Sequence, residues 1–265
     1  MIRGWYTGAS GMNAQQNRLD AISNNLANVD TTGYKRDITV SKSFSELLIR
    51  RTNFDGVYET SVGSADAAPI IGKLGLGVET NENYTDFSQG SLRDTGNTYD
   101  IALAGDGFLN IEFTNKAGET STKYTRDGGL TLTKDGYLTT KDGDYVLGEN
   151  GRIQLSTTAG NTVIMEDGSI YQDDVLVTKL KITEFEDTNY LTHYGESMWD
   201  AKEGAVANDA TDFRVHQGYV EMSNISVVTE MVNMISIQRQ YEANQKLITT
   251  YDESLDKSVN QIGRV

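Results

Sequence analysis

The chain contains no cysteine, one proline and two histidines in 265 residues. Without thiols there is no disulfide staple, no thiolate zinc site and no cysteine nucleophile, and the redox compartment stays open. Long apolar runs are missing as well: none approaches the roughly 20 residues needed to cross a bilayer. The start, MIRGWYTGASGMNAQQ, has one arginine but no continuous apolar stretch, which argues against a cleaved secretory signal. Apolar residues make up 37 % and the mean hydropathy is −0.46, lean for an enzyme core.

Motifs for chemistry are equally scarce. His193 and His216 sit in no ligand spacing and read as structural or surface histidines. The glycine-rich IIGKLGLGVET has no following Gly-Lys-Ser/Thr and opens no helix, so it is not a phosphate loop. KDGDYVLGENG lacks the alternating ligands and closing glutamate of a calcium loop. Carboxylate pairs such as Asp173-Asp174 are too common here to be diagnostic, and no Gly-x-Ser-x-Gly elbow occurs. The expectation is no catalytic residue, no cofactor and no metal. The rival is an oligomeric enzyme or binding module with a site concealed in 95–215, and no motif points to it.

Charge is unevenly placed. Residues 1–51 hold seven basic and four acidic side chains, 220–265 hold four and six, and 52–219 hold 12 and 28. The whole acid excess lies in the middle, which excludes nucleic acid as a partner, since that needs a basic face. Near-neutral ends suit burial against something else.

Those ends carry the strongest pattern. Trp5, Met12, Leu19 and Leu26 recur every seven residues, with Ile22 and Val29 three places after the last two, predicting a helix over about 5–29. Gly8, Ser10 and Gly11 weaken its first turns but permit close backbone approach. At the other end Val220, Val227, Met234, Tyr241, Ile248, Leu255 and Ile262 are seven apart, and Val228, Met231, Ile235, Ile237 and Val259 widen the stripe. Ser223, Asn224 and Ser226 are N-cap candidates, and the spacing predicts one helix over about 224–261, roughly 55 Å long. Ile237 and Tyr251 lie off the main line, so the apolar arc exceeds a two-helix contact and calls for helices from other copies.

The middle reads as antiparallel β. Asp-Gly turns recur at 106–107, 127–128, 135–136, 142–143 and 167–168, between short runs such as 108–113, 130–133, 145–147 and 175–185. Thr133-Lys-Asp-Gly-Tyr is echoed by Thr140-Lys-Asp-Gly-Asp. Residues 52–98 hold Pro69 and many glycines, and read as an extended connection with a strand or hairpin around 70–90.

SNNLANVDTTGYKR (23–36) closes the first helix: Leu26 and Val29 complete its stripe, and Gly33 can take the left-handed conformation that ends it. Asn24, Asn25 and Asn28 offer amides that can bond their own last carbonyls and neighbouring chains. This stretch, with ASGMNAQQNRLDAI before it, resembles the N-terminal signature of flagellar basal-body rod and hook proteins. ALAGDGFLNIE (102–112) and YTRDGGLTLTKDGYLTTKDGDYVLGENGRIQL (124–155) are similar to the family's β domain. GYVEMSNISVVTEMVNMISIQRQYEANQKLI (218–248) is similar to its C-terminal signature, including Ser223-Asn224, Gln238-Arg239 and Tyr241 to Asn244. Segments 37–98 and 186–217 carry little of the resemblance. Asp30 and Tyr34 depart from the usual asparagine and phenylalanine.

The resemblance implies an α+β protein: long N- and C-terminal helices forming a coiled-coil assembly domain (1–33 and 222–265), an extended connection (34–94), and a central mainly antiparallel β domain (95–221). It implies a structural subunit, not an enzyme, of the rod that joins motor to hook. Such subunits pack helically with copies of themselves and with neighbouring rod proteins around an export channel. They leave the cell through the flagellar type III export apparatus, without a cleaved signal, for the periplasmic rod. YVLGENGRI and NQKLITTYDESLDK look more like the proximal-rod type, with the distal rod the alternative and a hook-type protein disfavoured by length. The expected interface comprises Leu19, Ile22, Asn24, Asn25, Leu26, Asn28, Val29, Gly33 and Tyr34 from the first motif. From the last it comprises Ser223, Asn224, Val227, Met231, Met234, Gln238, Arg239, Tyr241, Asn244, Ile248 and Leu255.

Overall fold

The heptad spacing at the N-terminus produces helix α1, Ile2–Ala27, and the C-terminal one produces α2, Val227–Lys257, continued by a π-helical turn at Ser258–Ile262. Both lie within a residue or a few of the expected ends. α1 stops as anticipated: the Asn28 N–H is shared between the carbonyls of Asn24 and Asn25, at 3.1 and 3.2 Å. Gly33 then takes φ 69°, a left-handed conformation. α2 carries Glu230 in its first turn and Lys257 in its last, each opposing the helix dipole at its end. Its first helical bond runs from the Glu230 N–H to the Ser226 carbonyl.

The structure is a computed structural model that describes residues 2–50, 59–60, 63–64, 70–116, 118–157, 161–195 and 197–262. Pro69 lies outside the described residues. The chain divides into two units, one of Met1–Ser23, Ile38–Tyr84 and Met231–Val265, the other of Asn24–Asp37 and Thr85–Glu230.

In the first unit the helices run antiparallel, and glycine makes the contact close. A Cβ on Gly8 would stand 3.1 Å from Ile248 Cγ1, one on Gly11 3.1 Å from Asn244 Nδ2, and one on Gly4 2.8 Å from Tyr251 Cε2. Gln15 donates to Gln240 across the pair at 2.9 Å. The close approach expected of Gly8 and Gly11 is therefore present. Ser10 does something else: its hydroxyl donates to the Thr7 carbonyl and accepts from Val78 N–H. The connecting region supplies strands Ile70–Leu74 and Val78–Asp86, where a strand or hairpin was expected. Ile70–Leu74 pairs with Leu47–Arg50, and Val78–Asp86 pairs with Arg36–Ser43.

From Met234 onward the shielded positions of α2 and the turn after it are 234, 237, 241, 244, 248, 251, 255 and 258, alternating by three and four. Ile237 and Tyr251, read from sequence as flanking residues, are thus shielded ones, Tyr251 against Gly4. The reason is geometric: a helix facing one neighbour buries two lines of a heptad, not one. The apolar arc is nevertheless too wide for the pair, through different residues. Val228, Met231, Val232 and Ile235 are 73, 51, 60 and 49 % exposed.

The second unit is the antiparallel β domain. Its main path orders the strands 130–132, 138–140, 145–148, 108–114, 120–125, 198–201 and 191–194. The duplicated turn sequence gives a duplicated turn. Gly136 N–H bonds the Thr133 carbonyl and Gly143 N–H that of Thr140, with φ of 82° and 96° at the two glycines. In each turn the threonine hydroxyl also accepts a backbone N–H, from Tyr137 at 2.9 Å and from Asp144 at 3.2 Å. The core is aliphatic, with Ile101, Leu109, Ile111, Leu130, Leu138, Val146 and Ile170 essentially sealed. A second, aromatic cluster sets Phe108, Phe185 and Trp199 edge to face, centroids 5.6–5.9 Å apart. The late strands Phe213–Gln217 and Tyr219–Glu221 return to pair with Ile101–Gly105 and Leu92–Asp94, so the domain is completed by the chain's C-terminal third.

Candidate assembly surface and buried clasp

The expected interface residues separate into an outward and an inward set. On the outward side, Val227 and Met231 are exposed apolar residues and Gln238 and Arg239 are exposed polar ones. A groove of about 390 Å³ runs along α2 between Val232, Ile235, Ser236, Arg239, Gln240 and Ala243. Met234, Tyr241, Asn244, Ile248 and Leu255 are half-buried in the seam, and Leu19, Leu26 and Val29 are half-buried on the first motif. Ile22 is buried. Asn24 is exposed and receives the Asn28 amide on its carbonyl at 3.0 Å, so these two serve the helix end as expected.

The inward set forms a clasp inside the second unit. Asn25 is 1 % exposed; its amide donates to the Asp37 carbonyl at 2.8 Å and accepts from the Asp37 N–H at 3.0 Å, acting as a piece of strand backbone. Asn224 does the same, accepting from the Arg36 N–H at 2.9 Å and donating to the Asp86 carbonyl at 2.8 Å. An amide can be donor and acceptor at one site, which no carboxylate or ammonium can. Tyr34 is buried, its hydroxyl directed at Asn25 Oδ1 at 3.5 Å. Burial and the nearby Asp37 push its phenol up to about 12. Ser223 is also buried.

Gly33 is inside as well. Its N–H donates to the Glu221 carbonyl at 2.8 Å, and a Cβ there would lie 2.5 Å from the Arg126 carbonyl carbon. Under it lies a feature that the sequence alone does not disclose. Lys35 Nζ meets Glu221 Oε1 at 2.7 Å, and Arg126 Nη1 meets Glu221 Oε2 at 3.5 Å, with all three side chains at 4 % exposure or less. The Gly90 N–H completes the Glu221 carboxylate at 2.9 Å. Lys35 also donates to the Ser88 carbonyl, and Arg126 to that of Gly105, each at 2.9 Å. Burial lowers the Lys35 ammonium below its ordinary value, opposed by Glu221, and lowers Arg126 likewise, opposed by Glu221 and Asp106. Arg36 adds a pair with Glu230 at 2.9 Å. The one signal in sequence was a glutamate inside the apolar YVEM and a Lys-Arg doublet after a helix-ending glycine.

Among the described residues no group of three or more His, Asp or Glu could hold a metal, and no helix is long and apolar enough to cross a membrane. An apolar helix face outside and two terminal motifs knit together inside describe a structural subunit. Comparisons with known proteins agree. The family described as flagella basal body rod protein matches residues 6–35, the flagellar basal body rod FlgEFG protein C-terminal matches 216–262, and the flagellar hook protein FlgE/F/G D1 domain matches 102–172. The flagellar basal-body rod protein FlgG of Agrobacterium fabrum is 34 % identical over 92 % of this chain and 94 % of that protein. FlgG of Bacillus subtilis is 33 % identical over 98 % of this chain and 99 % of its own, and FlgF of Caulobacter vibrioides 30 % over 98 % of each. The chain belongs to the flagellar basal-body rod protein family: it is a structural rod subunit of the basal body, not an enzyme.

Proposed function

We propose that this subunit assembles helically with its copies and with neighbouring rod proteins through its terminal helices, as a coiled-coil assembly domain. It thereby forms the drive shaft that carries torque to the hook and encloses the export channel. The observation that carries the reading is the wet apolar face Val228, Met231, Val232 and Ile235 beside the α2 groove. Interdigitated side chains on such a face resist sliding, because shear opens voids. Tyr251, Ile248 and Asn244, which close on Gly4, Gly8 and Gly11, then hold the subunit's own two helices together for that contact. Delivery through the type III export apparatus to the periplasmic rod belongs to the same proposal. Its support is the family membership.

The proximal position expected from sequence has the distal rod as its rival. The relatives include both FlgG and FlgF rod proteins, so the proposal keeps both positions, to be separated by locating the subunit along the rod. The test of assembly is Ile235→Ser together with Val232→Ser. Both side chains are exposed in the isolated subunit, so monomer stability changes by no more than ~0.5 kcal/mol. Each loses ~1–1.5 kcal/mol of burial in an assembled rod, because about half of its surface is still open in the subunit. Polymerisation followed by sedimentation is expected to fail while the monomer melts as before. Polymerisation at the parent's rate would remove this face from the interface.

A further inference from the structure

Glu221 reaches the interior from residue 221, yet the two cations it meets come from residues 35 and 126. With Glu221 at 0 % exposure and the cations at 1 and 4 %, bulk water solvates none of the three charges. The backbone around them is equally dependent on the late chain. Gly33 N–H bonds the Glu221 carbonyl, Met222 N–H bonds the Ser91 carbonyl at 2.9 Å, and Asn224 binds Asp86 and Arg36. A Cβ on Gly90 would run into the Met222 carbonyl oxygen, so this approach is sterically reserved.

A buried ion pair adds little net stability over an apolar replacement, but removing one member strands the others without solvent at a high cost. The cluster is therefore poorly suited to strengthening the domain and well suited to making one segment conditional on another. We infer that Glu221 is a closure latch: the N-terminal segment 32–37 orders on the β domain only when strand Tyr219–Glu221 is docked to neutralise Lys35 and Arg126. The last turn of α1 and the first turn of α2 belong to the same unit as the latch. A chain whose C-terminal strand has not yet docked keeps its N-terminal motif open. The inference concerns the folding of one subunit and stands whether or not the rod-assembly proposal survives.

The test is amide exchange on the full-length protein. In Glu221→Gln, which keeps shape and acceptor but removes the charge, amides of 33–37 and 88–91 are expected to exchange at least about tenfold faster. Amides of 109–113 in the central sheet should change less. In the triple variant Lys35→Met, Arg126→Met, Glu221→Gln no charge is stranded, and protection of 33–37 is expected to return toward the parent. Unchanged exchange at 33–37 in Glu221→Gln overturns the latch. Should the single variant unfold throughout, a triple variant that folds with 33–37 protected supports the latch, and one that does not overturns it.

Discussion

Gly33→Ala is the sharpest single perturbation of the clasp. Gly33 holds φ 69°, and an L side chain in that left-handed region costs ~1–2 kcal/mol by itself. The new methyl would also meet main chain rather than a yielding side chain, at 2.5 Å from the Arg126 carbonyl carbon and 2.8 Å from Asp127 Cα. Relief requires residues 32–34 to lift from 126–127, which breaks the Gly33 N–H bond to the Glu221 carbonyl and the Thr32 hydroxyl bond to the Asp127 carboxylate at 2.6 Å. Those two losses add ~1 and ~1.5–3 kcal/mol, so the total is expected to exceed roughly 3 kcal/mol. Gly143→Ala is the control. It sits at φ 96° with nothing within 4 Å of an added methyl, so only the conformational cost of ~1–2 kcal/mol applies. Trp199, 1 % exposed in the aromatic cluster, reports unfolding of this unit by fluorescence once Trp5 is replaced by phenylalanine. At ~2–4 °C per kcal/mol the Gly33 variant should melt at least ~6 °C below its parent and clearly below the Gly143 variant. Equal melting of the two variants would refute the packing argument.

Further outcomes follow from the same geometry. The Tyr34 phenol is raised from 10.0 to about 12, so its stabilisation is whole below pH 10 and is lost as pH rises through about 12. The parent should lose up to roughly 2 kcal/mol more than Tyr34→Phe between those limits in denaturant titrations; parallel curves would contradict this. Gly8→Val places branched carbon where Ile248 already stands at 3.1 Å, and should lower amide protection at 244–252 while leaving 101–111 unchanged. In isolated monomer the α2 segment 231–260 should exchange faster than 101–111, since its outer face has no partner; equal protection would show a self-sufficient helical hairpin.

Much of this architecture was legible because it is local. A seven-residue spacing specifies a helix face, and the repeated Thr-Lys-Asp-Gly string specifies two turns that close with the same threonine bonds at 133–137 and 140–144. Gly33 was legible as a helix stop, because only glycine takes that φ freely. What the string does not encode is which partner a residue meets 186 positions away, as Lys35 meets Glu221. Asn25 is expected from sequence to bond the helix's own last carbonyls and neighbouring chains, and Asn224 to cap α2 and belong to the interface that the resemblance implies. The structure gives them interior roles that the same donor and acceptor pair also suits. Ile237 lies off the single heptad line in the sequence, yet it is 4 % exposed in the structure.

The proposed role requires this chain to be part of the rod itself. Purified basal bodies carrying an electron-dense tag inserted at the exposed Asp142-Gly143 turn, viewed in negative stain, test that directly. The account predicts density on the rod, with its height distinguishing distal from proximal position. Tagged density on the hook, or basal bodies that assemble without incorporating the tagged subunit, would contradict it.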